Sequence, residues 1–448
     1  MENVYLSEKN IKKSETITLF SPRNPTPMQV VYLSNIDQTV AFHVETAFFY
    51  EVPEGNEADT SDIIEQVKRA VSEVLLIPYY FMAGRLSFNL HENRLELVCN
   101  NKGVQFVGAT SNLTLKELGD LTHPNPSFKH LVPLIMGSKN LDDIPLFSIQ
   151  VTRFSCGAFS VGFATNHSIL DGKSAADMFL NLASICRGED MKTHELNIDR
   201  SCIRARNPPQ VKFQHTEYIK LAEPSHTSFT SPIASPQASR PLGVANFKLF
   251  SFSPEMINCL KNKSEMNCSS FEALVAHLWR ARTKAVFDDL MKVSSVLFAV
   301  DIRSRMSPQL PRGFIGNAVI TASAEARVAD LGKMSFSFCI GLVREAINRV
   351  NDEYVRSVID WLELHKGVPS ALNGNFFVSA WWKLPFHELD FGCGKPVYGG
   401  PVVSGMEEFV LLLSDGCEMG NEKERGINVW IALEPEKMHK FQYHVFEM

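Results

Sequence analysis

A long stretch without hydrophobic periodicity divides this sequence into two parts of similar size. Residues 223–243 (EPSHTSFTSPIASPQASRPLG) are rich in Ser, Pro and Thr, a composition typical of an exposed connection between folded parts. The chain has 448 residues, which is more than a single hydrophobic core usually serves. We therefore expect two domains, residues 1–200 and 245–448, joined by a crossover over residues 201–244.

Strand-like and helix-like patterns alternate in both parts, which predicts the α/β class. In the first part we expect a helix over 61–75 with Ser61 as its N-cap, a hairpin formed by 146–153 and 158–165, and a helix over 174–186. In the second part we expect a helix from the N-cap Ser269 to Ala281, helices across 335–366 and from Pro435, and strands at 294–300, 317–322, 409–413 and 428–433.

The composition excludes several classes of protein. A net charge of −6 provides no electrostatic footprint for nucleic acid. No run approaches the roughly 18 apolar residues of a membrane span, and the first twenty residues lack the apolar core of a signal peptide. Nine cysteines without a C-x-x-C pair argue against zinc and fit reduced thiols. We expect a cytoplasmic monomer that acts on small molecules and binds no metal.

The sequence NHSILDG (residues 166–172) follows directly on the second strand of the predicted hairpin. His167 therefore lies where a strand ends and a loop begins, a common position for chemistry on an α/β scaffold. An imidazole with its ordinary pKa near ~6.5 suits proton transfer at neutral pH. The pattern alone does not separate a catalytic histidine from a buried one. The neighbouring Gly172-Lys-Ser174 is not a P-loop, because the required earlier glycine is His167.

A second stretch, VSAWWKLPFHELDFGCGKP (residues 378–396), makes the first one specific. Together they resemble the plant BAHD acyltransferases, which carry H-x-x-x-D-G and then D-F-G-W-G-K-P. Other matching segments are LSNID (33–37), YYFMAGR (79–85), SFEALVAHLWR (270–280), DIRSR (301–305) and GFIGN (313–317). The resemblance implies two α/β domains with mixed sheets and flanking helices, and an active-site channel at their interface. It also implies acyl-CoA as co-substrate and no permanently bound cofactor.

The resemblance further implies roles for individual residues. His167 would be the general base, without a covalent enzyme intermediate. Asp171, followed by Gly172, would be structural and pair with an arginine; the alternative is a His–Asp dyad that orients the imidazole. The loop at 390–396 would be held by Asp390, bonded through Arg303 or Arg305. Its two glycines, Gly392 and Gly394, would allow a tight turn.

The remaining implied site residues lie around the substrates. Trp381 would donate its indole N–H to the oxyanion, and Ser379 and His43 would lie on the acceptor side. Val44 stands where hydroxycinnamoyl transferases have Thr, so one polar donor is missing there. Ser269, Ser270 and Lys395 would contact CoA. Cys393 replaces the motif tryptophan, and we expect altered packing rather than a nucleophile, because nothing in the sequence predicts a lowered thiol pKa.

The resemblance points to transfer of a hydroxycinnamoyl-type acyl group from CoA to a hydroxyl or amine in plant specialised metabolism. Two alternatives stay open at this stage. One is a coumarin synthase, which passes the acyl group to an ortho-hydroxyl of the same substrate. The other is a non-catalytic accessory protein of fatty-acid elongation.

Overall fold

A computed structural model describes residues 4–22, 27–52, 60–134, 140–220, 246–370, 376–402, 408–415 and 425–447. Most of the predicted crossover, residues 221–244, lies outside these ranges. The strands are β1 Ile11–Lys13, β2 Ile17–Leu19, β3 Val30–Tyr32, β4 His43–Tyr50, β5 Arg85–Asn89, β6 Arg94–Val98, β7 Val104–Ser111, β8 Phe147–Arg153, β9 Phe159–Asn166, β10 Tyr218–Ile219, β11 Asn246–Phe252, β12 Val293–Asp301, β13 Val319–Arg327, β14 Val368–Pro369, β15 Phe376–Ala380, β16 Tyr398–Pro401, β17 Phe409–Ser414 and β18 Ile427–Leu433.

The helices alternate with these strands, as the sequence predicts for the α/β class. They are α1 Asn35–Gln38, α2 Ile63–Arg69, α3 Gly172–Cys186, α4 Pro254–Asn262, α5 Ser270–Val286, α6 Val328–Lys333, α7 Phe336–Arg349, α8 Asp352–His365 and α9 Pro435–His444. Among the described residues, no helix is both long and apolar enough to cross a bilayer.

The chain forms two compact units, and neither is one continuous segment. The first consists of Met1–Arg204, Pro311–Asn317 and Leu384–Ser404, and the second of Ala205–Leu310, Ala318–Lys383 and Gly405–Met448. Two short segments from late in the sequence therefore pack with the first unit, including the 390–396 loop that was expected in the C-terminal domain. The predicted boundaries at residues 200 and 245 stay a prediction.

The first unit contains a mixed sheet in the order β1-β7-β8-β9-β4-β16, with β2 also on β7. The strands β7 and β8 are parallel, and β8 and β9 form the predicted hairpin. Nearly every residue of β8 and all of β9 are buried, as their continuous apolar runs indicate. Phe163 of β9 stacks on Phe179 of α3 with ring centroids 4.1 Å apart. This contact holds α3 against the sheet and fixes the span of the connecting NHSILDG loop.

The predicted helix over 61–75 differs from the observed structure. A 3₁₀ turn at Thr60–Asp62 precedes α2, and a π-helical turn at Ala70–Leu75 follows it. The N-cap residue is Asp62 rather than Ser61, since Ser61 lies within the 3₁₀ turn. The hydroxyl of Thr60 at the start of that turn donates to the carbonyl of Gly157 at 2.8 Å. A π turn inserts an extra residue, so apolar spacing alone does not reveal it.

The second unit contains a six-stranded mixed sheet in the order β11-β18-β17-β15-β12-β13, in which β12, β15 and β17 are parallel neighbours. Helix α5 begins at a capping box, in which Ser269 and Glu272 each bond the other's backbone N–H. The indole of Trp279, in the middle of α5, is buried and donates to the hydroxyl of Ser294 on β12 (3.0 Å). The two predicted helices across 335–366 are present as α7 and α8.

The close packing of β9 makes a testable prediction. A methyl group at Gly162 would lie 2.0 Å from the carbonyl oxygen of Leu131, a backbone atom that has little room to move. We expect Gly162→Ala to lower the free energy of unfolding by about 1–3 kcal/mol, the usual cost of overpacking. Gly341→Ala is the matched control, because a methyl group there, within α7, meets nothing within 4 Å. It should raise stability by about 0.5–1 kcal/mol. Urea unfolding followed by circular dichroism measures both changes, and equal effects would contradict the predicted clash.

Candidate active site

His167 is the first residue after β9, and its backbone is held by a neighbouring strand segment. Its N–H donates to the carbonyl of Phe42, which directly precedes β4 (2.7 Å). The Phe42 ring lies 5.7 Å from the imidazole, centroid to centroid. The side chain of His167 is half-buried, so the imidazole is both fixed and accessible.

Asn317 determines which ring nitrogen of His167 carries the proton. Its side-chain Nδ2 donates to the carbonyl of His167 (2.7 Å) and to Oδ1 of Asp37 (2.8 Å), two groups that only accept. The amide oxygen of Asn317 must therefore be the atom that faces Nδ1 of His167, at 3.0 Å. Because that oxygen accepts, Nδ1 carries the proton and Nε2 is left with the lone pair.

A buried ion pair lies behind Asn317. Nε of Arg200 donates to Oδ2 of Asp37 at 3.0 Å, and both side chains are completely buried. The same Asp37 oxygen accepts from the N–H and hydroxyl of Ser34, and its other oxygen accepts from the backbone and side chain of Asn317. Arg200 also donates to the carbonyl of Ile169 within the NHSILDG loop (3.2 Å). Such saturation is what allows an ion pair to be buried.

Asp171 caps the helix that follows the histidine loop. Its carboxylate accepts from the backbone N–H of Ser174 at 2.9 Å, at the first turn of α3. Gly172 follows, where a methyl group would approach a side-chain carbon of Leu384 to 3.1 Å. The hydrogen bond at Nδ1 of His167 goes to Asn317, so the amide rather than Asp171 occupies the position that a dyad carboxylate would take.

The loop at 390–396 is closed by Asp390. Its Oδ1 accepts from the N–H groups of Gly392 (2.7 Å) and Gly394 (3.0 Å), whose φ angles of +106° and +99° are ones that other residues rarely adopt. The glycine N–H groups hold the turn, and the bond from Arg303 or Arg305 to Asp390 stays a prediction. Arg187 reaches this loop through the carbonyl of Asp390.

The two arginines of the DIRSR segment have other partners. Nη1 of Arg303 pairs with Asp301 at 2.9 Å. Nη1 of Arg305 donates to the carbonyls of Ile347 and Val350, at 2.8 and 2.9 Å, where α7 ends. Arg305 therefore satisfies backbone carbonyls that a helix end leaves without partners.

Cys393 lies half-buried in the 390–396 loop. Burial raises the pKa of its thiol, and the negative charge of Asp390 raises it further. A thiol with a raised pKa is a poor nucleophile at neutral pH. Lys395, in the same loop, forms an exposed ion pair with Glu388 at 3.0 Å.

His43 begins β4 and pairs in register with Asn166, one residue before His167. Its Nε2 donates to the carbonyl of Pro145 at 2.8 Å. Burial lowers the pKa of His43, and the bond to Pro145 only partly opposes this. His43 is therefore neutral near pH 7, while Val44 beside it brings no polar group.

The remaining predicted site residues belong to the second unit. The indole N–H of Trp381, just after β15, donates to the hydroxyl of Ser379 at 3.1 Å. Ser269 is the N-cap of α5, with its hydroxyl on Glu272 at 2.8 Å, and Ser270 is the first residue of that helix. Arg344 of α7 pairs with the same Glu272 at 2.7 Å and fixes this helix start.

Comparisons with known proteins identify the family. A model described as "Transferase family" matches residues 10–448. The chain is 36% identical to the acyltransferase GLAUCE of Arabidopsis thaliana, over 99% of this chain and 96% of that protein. It is also 36% identical to the omega-hydroxypalmitate O-feruloyl transferase of the same plant, over 95% and 90%. The chain belongs to the BAHD acyltransferase family.

This BAHD acyltransferase also has the family's fold. The crystal structure of vinorine synthase matches it with a TM-score of 0.73, at 21% identity and over 96% of each chain. The expected fold of mixed sheets with flanking helices in two domains is therefore confirmed. The family match and the acyltransferases at 36% identity show that the chain is an acyl-transferring enzyme.

No sequence pattern predicted a role in the site for Asp37, Arg200 or Asn317 of this BAHD acyltransferase. Two of them lie in segments already noted for their resemblance, LSNID and GFIGN, but with no role. Each is a polar residue within or next to an apolar stretch, which is a weak signal for a buried network. Arg200 stands outside every motif, and nothing in the sequence singles it out.

The environment of Cys393 makes a prediction about reactivity. Iodoacetamide should modify Cys393 more slowly than the exposed Cys259 at pH 7.5, since less of the Cys393 thiol is deprotonated. Asp390→Asn keeps an oxygen for both glycine N–H groups but removes the charge, so it should lower the thiol pKa and speed modification. Mass spectrometry of both cysteines in one sample measures the rates, with Cys259 as internal reference. Faster modification of Cys393 in the unmodified protein would contradict this account.

Proposed function

We propose that this protein transfers a hydroxycinnamoyl-type acyl group from its CoA thioester to a hydroxyl or amine, with Nε2 of His167 as the general base. The observation that carries the proposal is the bonding of Asn317. Its Nδ2 faces two acceptors, so its oxygen accepts a hydrogen bond from Nδ1–H of His167 and the basic lone pair resides on Nε2.

In the proposed reaction, Nε2 of His167 takes the proton of the acceptor hydroxyl as its oxygen attacks the thioester carbonyl. The tetrahedral intermediate then expels the CoA thiolate, which recovers the proton from the imidazolium. The C–S bond is exchanged for a C–O bond, and the histidine returns to its starting state. The positive charge that develops on the imidazole is stabilised by the Asn317 oxygen and, beyond it, by the carboxylate of Asp37.

The oxyanion donor and the CoA contacts stay predictions. Trp381 would have to exchange its bond to Ser379 for one to the substrate oxygen. Ser269, Ser270 and Lys395 are retained as candidate CoA contacts on the strength of the resemblance. The cytoplasmic location and the monomeric state predicted from the sequence are likewise retained as predictions.

The names of the relatives suggest the first substrates to try. One relative at 36% identity is named for feruloyl transfer to omega-hydroxypalmitate. We therefore propose feruloyl-CoA and related hydroxycinnamoyl-CoAs as donors, and long-chain hydroxy acids or alcohols as acceptors. Coumarin synthesis is the second candidate, since Val44, opposite Thr165 in the β4–β9 pair, leaves one fewer polar group for a separate acceptor.

The test is an assay that detects the free thiol of CoA and the mass of the product. Each hydroxycinnamoyl-CoA is incubated with and without hydroxy fatty acids, fatty alcohols and amines. Thiol release that requires an acceptor supports intermolecular transfer, whereas release of a lactone from an ortho-hydroxylated donor alone supports the coumarin reaction. If the protein releases no thiol from any donor, with or without an acceptor, both proposed reactions are contradicted.

His167→Ala should reduce kcat by about 10²–10⁴, the usual cost of losing a general base, and leave acyl-CoA binding unchanged. Steady-state rates together with calorimetric titration of the donor measure the two effects. His123→Ala is the control, because His123 is exposed and pairs only with Asp120 among the described residues. Retention of most activity in His167→Ala would overturn the assignment of the base.

Asn317→Ala should reduce kcat by about 10², with little change in the KM for acyl-CoA, because the imidazole loses its orientation and its preferred tautomer. Ser168→Ala is the matched control: Ser168 is completely buried beside His167 but donates to Asn166 at 2.7 Å. It should lower stability and keep kcat within a few-fold. Equal losses of kcat in both variants would indicate a merely structural role for Asn317.

A further inference from the structure

The second unit contains a small cavity with a strongly basic lining. Its volume is about 180 Å³, and it lies where α4 ends, along α5, and beside the residues that follow α9. The charged and titratable side chains that line it are Lys263, His277, Arg280, Lys284, His444 and Glu447. Three of these are permanent cations and one is an anion.

The charges of this basic cavity are not balanced. Nζ of Lys284 pairs with Glu447 at 2.6 Å, and Nδ1 of His444 approaches the same carboxylate to 3.2 Å. Within the described ranges, the side chains of Lys263 and Arg280 have no hydrogen bond or ion pair. Arg280 is half-buried, and its guanidinium N–H donors are available to an acceptor that enters the cavity.

The excess of positive charge acts on the pKa of His277, which also lines the cavity. The imidazole is buried and its Nε2 donates to the carbonyl of Val445 at 2.7 Å. Burial lowers the pKa of His277, the bond to Val445 opposes this, and the charges of Lys263, Arg280 and Lys284 lower it further. The three cations that line the cavity therefore all lower the pKa of one buried group. A change in the charge of the cavity should change the pKa of His277.

We propose that the basic cavity binds a phosphate-class oxyanion, either inorganic phosphate or the head group of a phosphate monoester. Two unpaired cations match the charge of a dianion, and the planar fork of Arg280 suits two of its oxygens. A volume of about 180 Å³ is enough for an ion of the size of phosphate.

The basic cavity is separate from the candidate CoA contact at the start of α5. The candidate CoA contact Ser269 precedes Arg280 by eleven residues on α5, a distance of about 16 Å along a helix. Phosphate bound at Lys263 and Arg280 would link the end of α4 to α5 and to the segment after α9. The inference therefore does not depend on the identity of the acyl donor.

Isothermal titration with inorganic phosphate, at constant ionic strength set with chloride, tests the proposal. Arg280→Gln and Lys263→Gln should each weaken binding about tenfold or more, the usual effect of losing a charged hydrogen bond. Lys261→Gln is the matched control, since Lys261 lies two residues away on α4 and does not line the cavity. It should bind phosphate as the unmodified protein does. Phosphoethanolamine in a parallel titration distinguishes free phosphate from a monoester as the preferred ligand.

Nuclear magnetic resonance of His277 provides a readout that does not depend on any substitution. Bound phosphate should raise the pKa of His277, because a nearby anion stabilises the imidazolium. Absence of saturable phosphate binding, an unchanged His277 pKa, or equal binding by Arg280→Gln and Lys261→Gln would overturn the proposal. Loss of phosphate binding on addition of saturating CoA would also overturn it, because the cavity would then be part of the CoA site.

Discussion

The ion pair between Asp37 and Arg200 is the interaction on which the site around His167 depends. Both side chains are completely excluded from solvent, so neither charge is tolerable without the other. Loss of one partner from a buried pair typically costs about 3–5 kcal/mol, because the remaining charge is left unpaired. The protein meets this constraint by surrounding Asp37 with donors from the neighbouring Ser34 and from the distant Arg200 and Asn317.

One of the donors to Asp37, the amide of Asn317, also bonds the imidazole of His167. Asn317 cannot rotate its amide without bringing an oxygen against the Asp37 carboxylate and the His167 carbonyl. The orientation of one amide is thus fixed by an ion pair, and the protonation of one imidazole by that amide. Arg200 contributes from the other side by holding the carbonyl of Ile169. The loop after β9 is therefore set by electrostatics rather than by apolar packing alone.

Features encoded by neighbouring residues were predictable from the sequence. The β8–β9 hairpin, α3 and the pair α7–α8 follow from local periodicity, and His167 at a strand end follows from them. The short strands β1 to β3 have three residues each, too few for a period to be recognised. The π turn after α2 was not predicted, because it changes the spacing of apolar residues on which the helix prediction relied. The bond between His167 and Asn317 was not predicted, because the two residues are 150 positions apart in the sequence. The partners of Asp37 are up to 280 positions away from it. Polar contacts over such separations leave no local pattern.

The placement of residues 311–317 and 384–404 with the first unit has a consequence for synthesis of the protein. His167 leaves the ribosome 150 residues before Asn317, an interval of roughly 8–30 s at ordinary rates of translation. During that time Oδ1 of Asp37 lacks the donors of Asn317, and the edge of β4 that later binds β16 is uncovered. An exposed strand edge invites pairing with other chains. The first unit is therefore open to wrong strand pairing while the chain is being made, and the proton on Nδ1 of His167 gains its acceptor only when most of the polypeptide exists.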